Sequence, residues 1–179
     1  MPGYRVERSK DVFIGRIFTV KLDRLKFENG KEVDMEVVRH GGAAAVVPVK
    51  EDGRIVLIRQ FRYTVDKYIW EVPAGKFDES EDSVTCALRE MEEEVGYRAG
   101  EIEKLGSILT TPGFSDERID IYLARDLEKV QRHLDPDEFI DVVDVPIDEA
   151  IDMIENGEIE DSKSIIALLF ASRRFSGGW

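Results

Sequence analysis

From Ala43 to Val49 the chain is apolar at nearly every position. A strand with one wet face alternates polar and apolar side chains, so a run without a polar face reads as a strand covered on both sides. The chain also offers helices to cover it. Between Ser80 and Val95, residues Val84, Ala87, Leu88, Met91 and Val95 recur at i, i+3, i+4, i+7 and i+11, the stripe of a helix resting on a core. Gly96 supplies a C-terminal stop. Asp78 with Glu81 resembles a capping box at its start, with Ser80 as a rival cap. Two further helices are predicted near Ile147–Asn156, ended by Gly157, and near Ser162–Arg173, capped by Asp161.

Strands fill most of the remainder. Residues 4–40 read as strands, with Asn29-Gly30 marking a hairpin turn within them. Gly41-Gly42 makes a break, and Glu51-Asp52-Gly53 a turn. Residues 54–61, 68–72, 102–109, 119–124 and 141–145 read as strands. The expected architecture is α+β, an α/β/α sandwich with a mixed sheet and an N-terminal β extension. The expected division is residues 1–40 as an N-terminal β region and 41–179 as the main domain.

The 179 residues suit one domain with a small extension. A formal net charge of −13 argues against nucleic acid or an anionic membrane as partner, whereas a single phosphorylated metabolite is compatible if a cation reverses the local sign. The one cysteine, Cys86, excludes an intrachain disulfide and reads as a small buried side chain. The N-terminus lacks the apolar stretch of a signal peptide, and no window reaches the length of a membrane span. A soluble, cytoplasmic protein is expected. His40 and His133 lie in no metal-ligand spacing, and the acidic run from Asp135 to Asp144 reads as a solvated face or strand edge.

The predicted helix at 80–95 carries the chemistry. Glu90, Glu93 and Glu94 fall within one arc of about 100°, whereas Glu92 points away. Like charges at this spacing cost roughly 0.2–0.5 kcal/mol per pair. Either Arg89, four residues before Glu93, or a divalent cation would offset that cost. Oxygen-only ligands favour Mg²⁺ or Mn²⁺ over Zn²⁺. Taken alone, an acidic helix face more often serves solubility.

The surrounding residues change that balance. Gly75, Glu81 and the run Arg89-Glu90-Met91-Glu92-Glu93-Glu94-Val95-Gly96-Tyr97 resemble the Nudix box, G-x5-E-x7-R-E-U-x-E-E-x-G-U, at every fixed position. Met91 and Tyr97 occupy the two U positions, which are usually Ile, Leu or Val. The resemblance implies a Nudix fold that binds Mg²⁺ or Mn²⁺ and hydrolyses a diphosphate linked to another group. It assigns metal ligation to Glu90 and Glu94, to Glu93 as ligand or base, and to the main-chain carbonyl of Ala74. Glu81, Arg89, Gly75 and Gly96 take structural roles.

Residues outside the box resemble the ADP-ribose pyrophosphatase subgroup. Pro112 lies fifteen residues beyond Tyr97, within Thr111-Pro112-Gly113-Phe114-Ser115-Asp116-Glu117. Upstream, Arg59-Gln60-Phe61-Arg62 and Glu71-Val72-Pro73-Ala74-Gly75 resemble the strands leading into the box. The resemblance implies Glu117 as a second candidate for activating water or for completing the metal site, and Arg62 as the diphosphate ligand. Glu71, Arg39 and Thr111 become further substrate candidates, with a structural pairing as the alternative for Glu71. Phe18 is the candidate for stacking on adenine, with Phe13 behind it and a core role as the alternative for either. Trp70 is expected to pack. The N-terminal strands resemble a swapped region that forms a homodimer. The expected reaction is ADP-ribose plus water giving AMP and ribose 5-phosphate. The rivals are another nucleoside diphosphate sugar or dinucleotide as substrate, and a non-catalytic nucleotide-sugar sensor on the same fold.

Overall fold

The computed structural model describes residues 3–134 and 139–175. Two units emerge. One comprises residues up to Gly42 together with Leu109–Arg118; the other comprises Ala43–Ile108 and the chain from Ile119 onward.

The first unit is a three-stranded sheet in the order β1-β2-β3, with β1 at Tyr4–Ile14, β2 at Phe18–Phe27 and β3 at Glu32–His40. Both pairings are antiparallel. The β2–β3 turn falls at Asn29-Gly30: Gly30 has φ of 83°, which glycine adopts without strain, and Asn29 Oδ1 accepts from the Lys31 amide at 3.0 Å. β1 is exposed along its whole length. The segment 109–118 joins β3 through the Val38 amide, which donates to the Phe114 carbonyl at 2.7 Å.

The second unit contains β4 (Ala43–Pro48), β5 (Arg54–Arg62), β6 (Lys67–Glu71), β7 (Ala74–Lys76), α1 (Ser83–Val95), β8 (Tyr97–Leu109), β9 (Arg118–Lys129), β10 (Ile140–Pro146), α2 (Ile147–Glu155) and α3 (Ser162–Phe175). Its sheets run β7-β4-β9-β8 and β10-β5-β6. β4 pairs parallel with β9 and antiparallel with β7, so the sheet is mixed.

Every residue of β4 is buried, and alternate residues serve different cores. Ala43, Ala45 and Val47 join Ala150, Met153, Ala167, Leu168 and Ala171 of α2 and α3. Ala44 and Val46 join Cys86, Ala87, Met91 and Val95 of α1. β5 divides likewise, with Ile55 and Leu57 facing one core and Val56 and Ile58 the other. The period-2 alternation of a strand thus places helices on both faces. This is the expected α/β/α sandwich.

Local departures have physical reasons. α1 begins at Ser83, and its cap is Asp82, whose Oδ1 accepts from the Thr85 amide at 2.8 Å. The Asp78–Glu81 pair forms its hydrogen bonds, amide to carboxylate and amide to carbonyl, in the turn before the helix. Val84 therefore falls in the exposed first turn, and Cys86 takes its place in the core. Gly96 has φ of 73° and its amide closes α1 on the Glu92 carbonyl. Asp161 caps α3 as expected, accepting from the Ser164 amide at 2.9 Å. β7 was not anticipated: three residues containing a glycine carry no strand signal. Of the acidic run 135–144, residues 135–138 lie outside the described residues, and the rest leads into and forms part of β10. Removing the α1 cap by Asp82→Ala is expected to cost about 1 kcal/mol of unfolding free energy, whereas Ser80→Ala should change it by only a few tenths. Paired urea titrations would decide.

Candidate active site

Arg89 organises the acidic face of α1. Its Nε and Nη2 donate to the two carboxylate oxygens of Glu81, both at 2.9 Å. Its Nη1 donates to Glu90 Oε1 at 2.8 Å and to Glu93 Oε2 at 3.0 Å, and Nη2 also reaches the Lys76 carbonyl at 3.2 Å. One guanidinium thus binds three carboxylates. The fork to Glu81 is the main reason the Arg89 pKa lies well above its usual value, and the same fork holds the Glu81 carboxyl below its own. Glu92 turns outward and pairs with Arg98 at 2.9 Å.

Glu94 differs from its neighbours. It is 2% exposed, and its Oε2 accepts from the Ala74 amide at 3.0 Å, so a metal candidate touches the residue whose carbonyl is the other candidate. At Gly75 an added Cβ would lie 1.8 Å from Glu90 Oε1. A side chain there would have to displace the Glu90 carboxylate from its place beside the backbone, and the backbone twist of Gly75 sets no such demand. Below the loop, Cys86 Sγ donates to the carbonyls of Gly75 and Lys76 at 3.4 Å, and burial pushes its thiol up to about 12.

These residues fit a hard divalent cation. Glu90 and Glu93 already converge on one cationic nitrogen, and every donor is oxygen. Among the described residues no three His, Cys, Asp or Glu side chains form a closed metal cluster.

Arg62 ends β5 beside Glu71 at the end of β6. Its Nε donates to Glu71 Oε2 at 2.7 Å and its Nη2 to Oε1 at 3.1 Å. Burial opposes the guanidinium charge, but Glu71 outweighs it and raises the Arg62 pKa. Glu71 is 2% exposed and also accepts from Lys163, so both its oxygens are engaged within the fold. Trp70 is partly buried against the core, with the Arg59 guanidinium 5.9 Å from its ring centre.

The remaining candidates belong to the first unit. Glu117 Oε2 accepts from Thr110 Oγ1 at 2.7 Å, and its Oε1 lies 3.6 Å from His40 Nδ1. That nitrogen also accepts from the Gly42 amide at 3.0 Å, which favours the Nε2–H tautomer. The Thr111 carbonyl accepts from the Phe114 and Ser115 amides, closing the loop turn. Arg39 donates to Asp116 at 3.1 Å and to the buried Asp23 at 3.2 Å. Asp116 also accepts from the His40 amide at 2.9 Å; despite some burial, these donors hold its carboxyl below the usual range. Phe18 is 40% exposed, with its ring 5.9 Å from that of Phe13.

Sequence reasoning missed Lys163, Asp23 and Asp116. Asp116 was visible only as a member of the loop motif; Lys163 meets Glu71 and Asp116 meets Arg39 from far along the chain, and Asp23 meets Arg39 from the neighbouring strand. His133 is used through its backbone, whose amide donates to the Glu93 carbonyl at 3.2 Å.

Replacing Arg89 by Met would leave three carboxylates without their shared cation. Arg89→Met should lower the unfolding free energy at pH 7 by about 2 kcal/mol. Because the folded Glu81 pKa is depressed from 4.5, its contribution is present above that value and fades as pH falls through the folded pKa. Denaturant titrations from pH 3 to 7 should show a smaller loss of stability on acidification in Arg89→Met.

Comparison with known proteins agrees with this geometry. The NUDIX domain family matches residues 39–168. The chain is 40% identical over 165 residues to the methanol dehydrogenase activator of Bacillus methanolicus, covering 91% of this chain and 89% of that protein. It is 36% identical to the ADP-ribose pyrophosphatase of Bacillus subtilis (strain 168), covering 90% and 88%. Among solved structures, that of an ADP compounds hydrolase superposes with a TM-score of 0.85 at 26% identity, covering 97% of this chain and 95% of that one. With a family match over most of its length and the box residues assembled around Arg89, the chain belongs to the NUDIX family.

Proposed function

We propose that this chain is an ADP-ribose pyrophosphatase, converting ADP-ribose and water to AMP and ribose 5-phosphate. The observation that carries the reading is the convergence of Glu90 and Glu93 on one cationic centre beside the Gly75 loop. The similarity to an ADP-ribose pyrophosphatase over 90% of the chain supports the substrate.

The cofactor is a divalent cation, and the oxygen donors favour Mg²⁺ with Mn²⁺ as a substitute. Glu90, Glu94, Glu93 and the Ala74 carbonyl would hold it. When bound, it neutralises phosphate charge and lowers the pKa of a coordinated water. Arg62 orients the diphosphate through the edge of its guanidinium not spent on Glu71. A carboxylate, from Glu93 or Glu117, takes a proton from the attacking water. The water oxygen bonds to phosphorus as the bridging P–O bond breaks, and the leaving phosphate carries the electron pair. Glu71 acts through Arg62, while Arg39, Thr111 and Phe18 are assigned to the substrate's outer groups.

The N-terminal strands, residues 1–40, are proposed as the dimer-forming region and 41–179 as the catalytic domain. Val12, Phe13, Ile14, Ile17 and Phe18 are each at least 40% exposed. Exposed apolar side chains clustered at the end of the edge strand β1 and the turn into β2 are covered economically by a second copy. No helix among the described residues is long and apolar enough to cross a membrane, and a cytoplasmic setting is part of the same proposal.

Purified protein supplied with Mg²⁺ should release AMP and ribose 5-phosphate from ADP-ribose, and excess EDTA should abolish turnover. Glu90→Gln and Glu93→Gln should each lower kcat by about 10²–10⁴-fold. A panel including a GDP-sugar and a flavin dinucleotide, compared by kcat/KM, tests the substrate. Tight ADP-ribose binding without turnover would replace this reading with that of a sensor.

A further inference from the structure

Lys163 stands in the first turn of α3, 92 residues along the chain from Glu71. Its Nζ donates to Glu71 Oε1 and, at 3.0 Å, to Asp161 Oδ2. Asp161, Lys163, Glu71 and Arg62 thus form a row of alternating charge, with the Glu71 and Lys163 side chains only 2% and 13% exposed.

The row has a mechanical and an electrostatic consequence. Asp161 Oδ2 also accepts from the amide and hydroxyl of Ser164, and Ser164 Oγ accepts from the Val72 amide at 2.9 Å. The turn carrying Lys163 is thereby tied to the residue directly after Glu71, and Nζ has little freedom to leave the carboxylate. Burial strips Glu71 of water, so its charge must be met by protein cations. With Arg62 as its only cation, Glu71 would hold that guanidinium against any competing anion. A second cation on Oε1 relaxes this hold without breaking the two-point fork that fixes the guanidinium plane.

We propose that Lys163 is a positioning residue for diphosphate recognition: by sharing Glu71 it keeps Arg62 both oriented and electrostatically available to the substrate. The proposal rests on the reading of Arg62 as the diphosphate ligand, and it extends the recognition apparatus to a helix the family motif does not include.

The test is a double-mutant cycle on the full-length protein with Mg²⁺ and ADP-ribose, assayed well below the melting temperature of each variant. Lys163→Met should raise KM by about tenfold and change kcat by less than about twofold, the pattern of lost ground-state binding. Lys163→Arg, which keeps the charge, should recover most of the loss. In an Arg62→Ala background, Lys163→Met should add less than about a twofold change in KM, because the two act through one interaction. If Lys163→Met does not fold, Lys163→Gln carries the same comparison. An undiminished effect in the Arg62→Ala background, a loss confined to kcat, or no recovery with Lys163→Arg overturns the proposal. An Arg62→Ala enzyme with unaltered KM overturns the diphosphate reading of Arg62 itself, and the role of Lys163 with it.

Discussion

The bonds between Arg89 and three glutamates let an acidic helix exist in this fold. Without a shared cation, Glu90 and Glu93 would repel each other, and the approach of Glu90 to the Gly75 backbone would lack support. Arg89 also reaches backward to Glu81 and the Lys76 carbonyl, so the bonds that quiet the helix fasten the preceding loop to it. Fold and site are held by the same group. A metal at this place would compete with Arg89 for Glu90 and Glu93 but not for Glu81, which anchors the guanidinium from the other side.

Glu94 and Glu71 show a second strategy. Both are carboxylates held at 2% exposure, and each is matched by donors set by the backbone trace. Glu94 meets a main-chain amide at the mouth of the box, and Glu71 meets two side-chain cations at the end of β6. Buried acids compensated in this way cost little stability while intact and much when a partner is removed. They sit on either side of the short stretch Val72-Pro73-Ala74, which fixes where the chain enters β7.

Much of this was legible in the sequence, for reasons that differ by residue. The unbroken apolar run at 43–49 demanded two covered faces, and alternation along β4 delivers them. Glu90, Glu93 and Arg89 were legible because their spacing on a helix is fixed by its pitch. The capping residue was not, since Asp78-x-x-Glu81 satisfies its own hydrogen bonds in a turn and leaves the cap to Asp82. The burial of Glu94 could not be foreseen from periodicity, because it depends on an amide twenty residues earlier. The roles of Lys163, Asp23 and Asp116 were hidden for the same reason: each acts on a partner, Glu71 or Arg39, that only the folded chain brings near. β7 was too short to signal itself.

Cys86 has a consequence of a different kind. The chain's sole thiol lies beneath the Gly75 loop, hydrogen-bonded to two of its carbonyls, and with its pKa pushed up to about 12 it remains protonated and unreactive at neutral pH. Oxidants and alkylating agents therefore reach it only through a fluctuation that lifts the loop from α1. The rate at which a thiol reagent labels the native protein becomes a clock for that opening, readable on a single atom without introducing any probe.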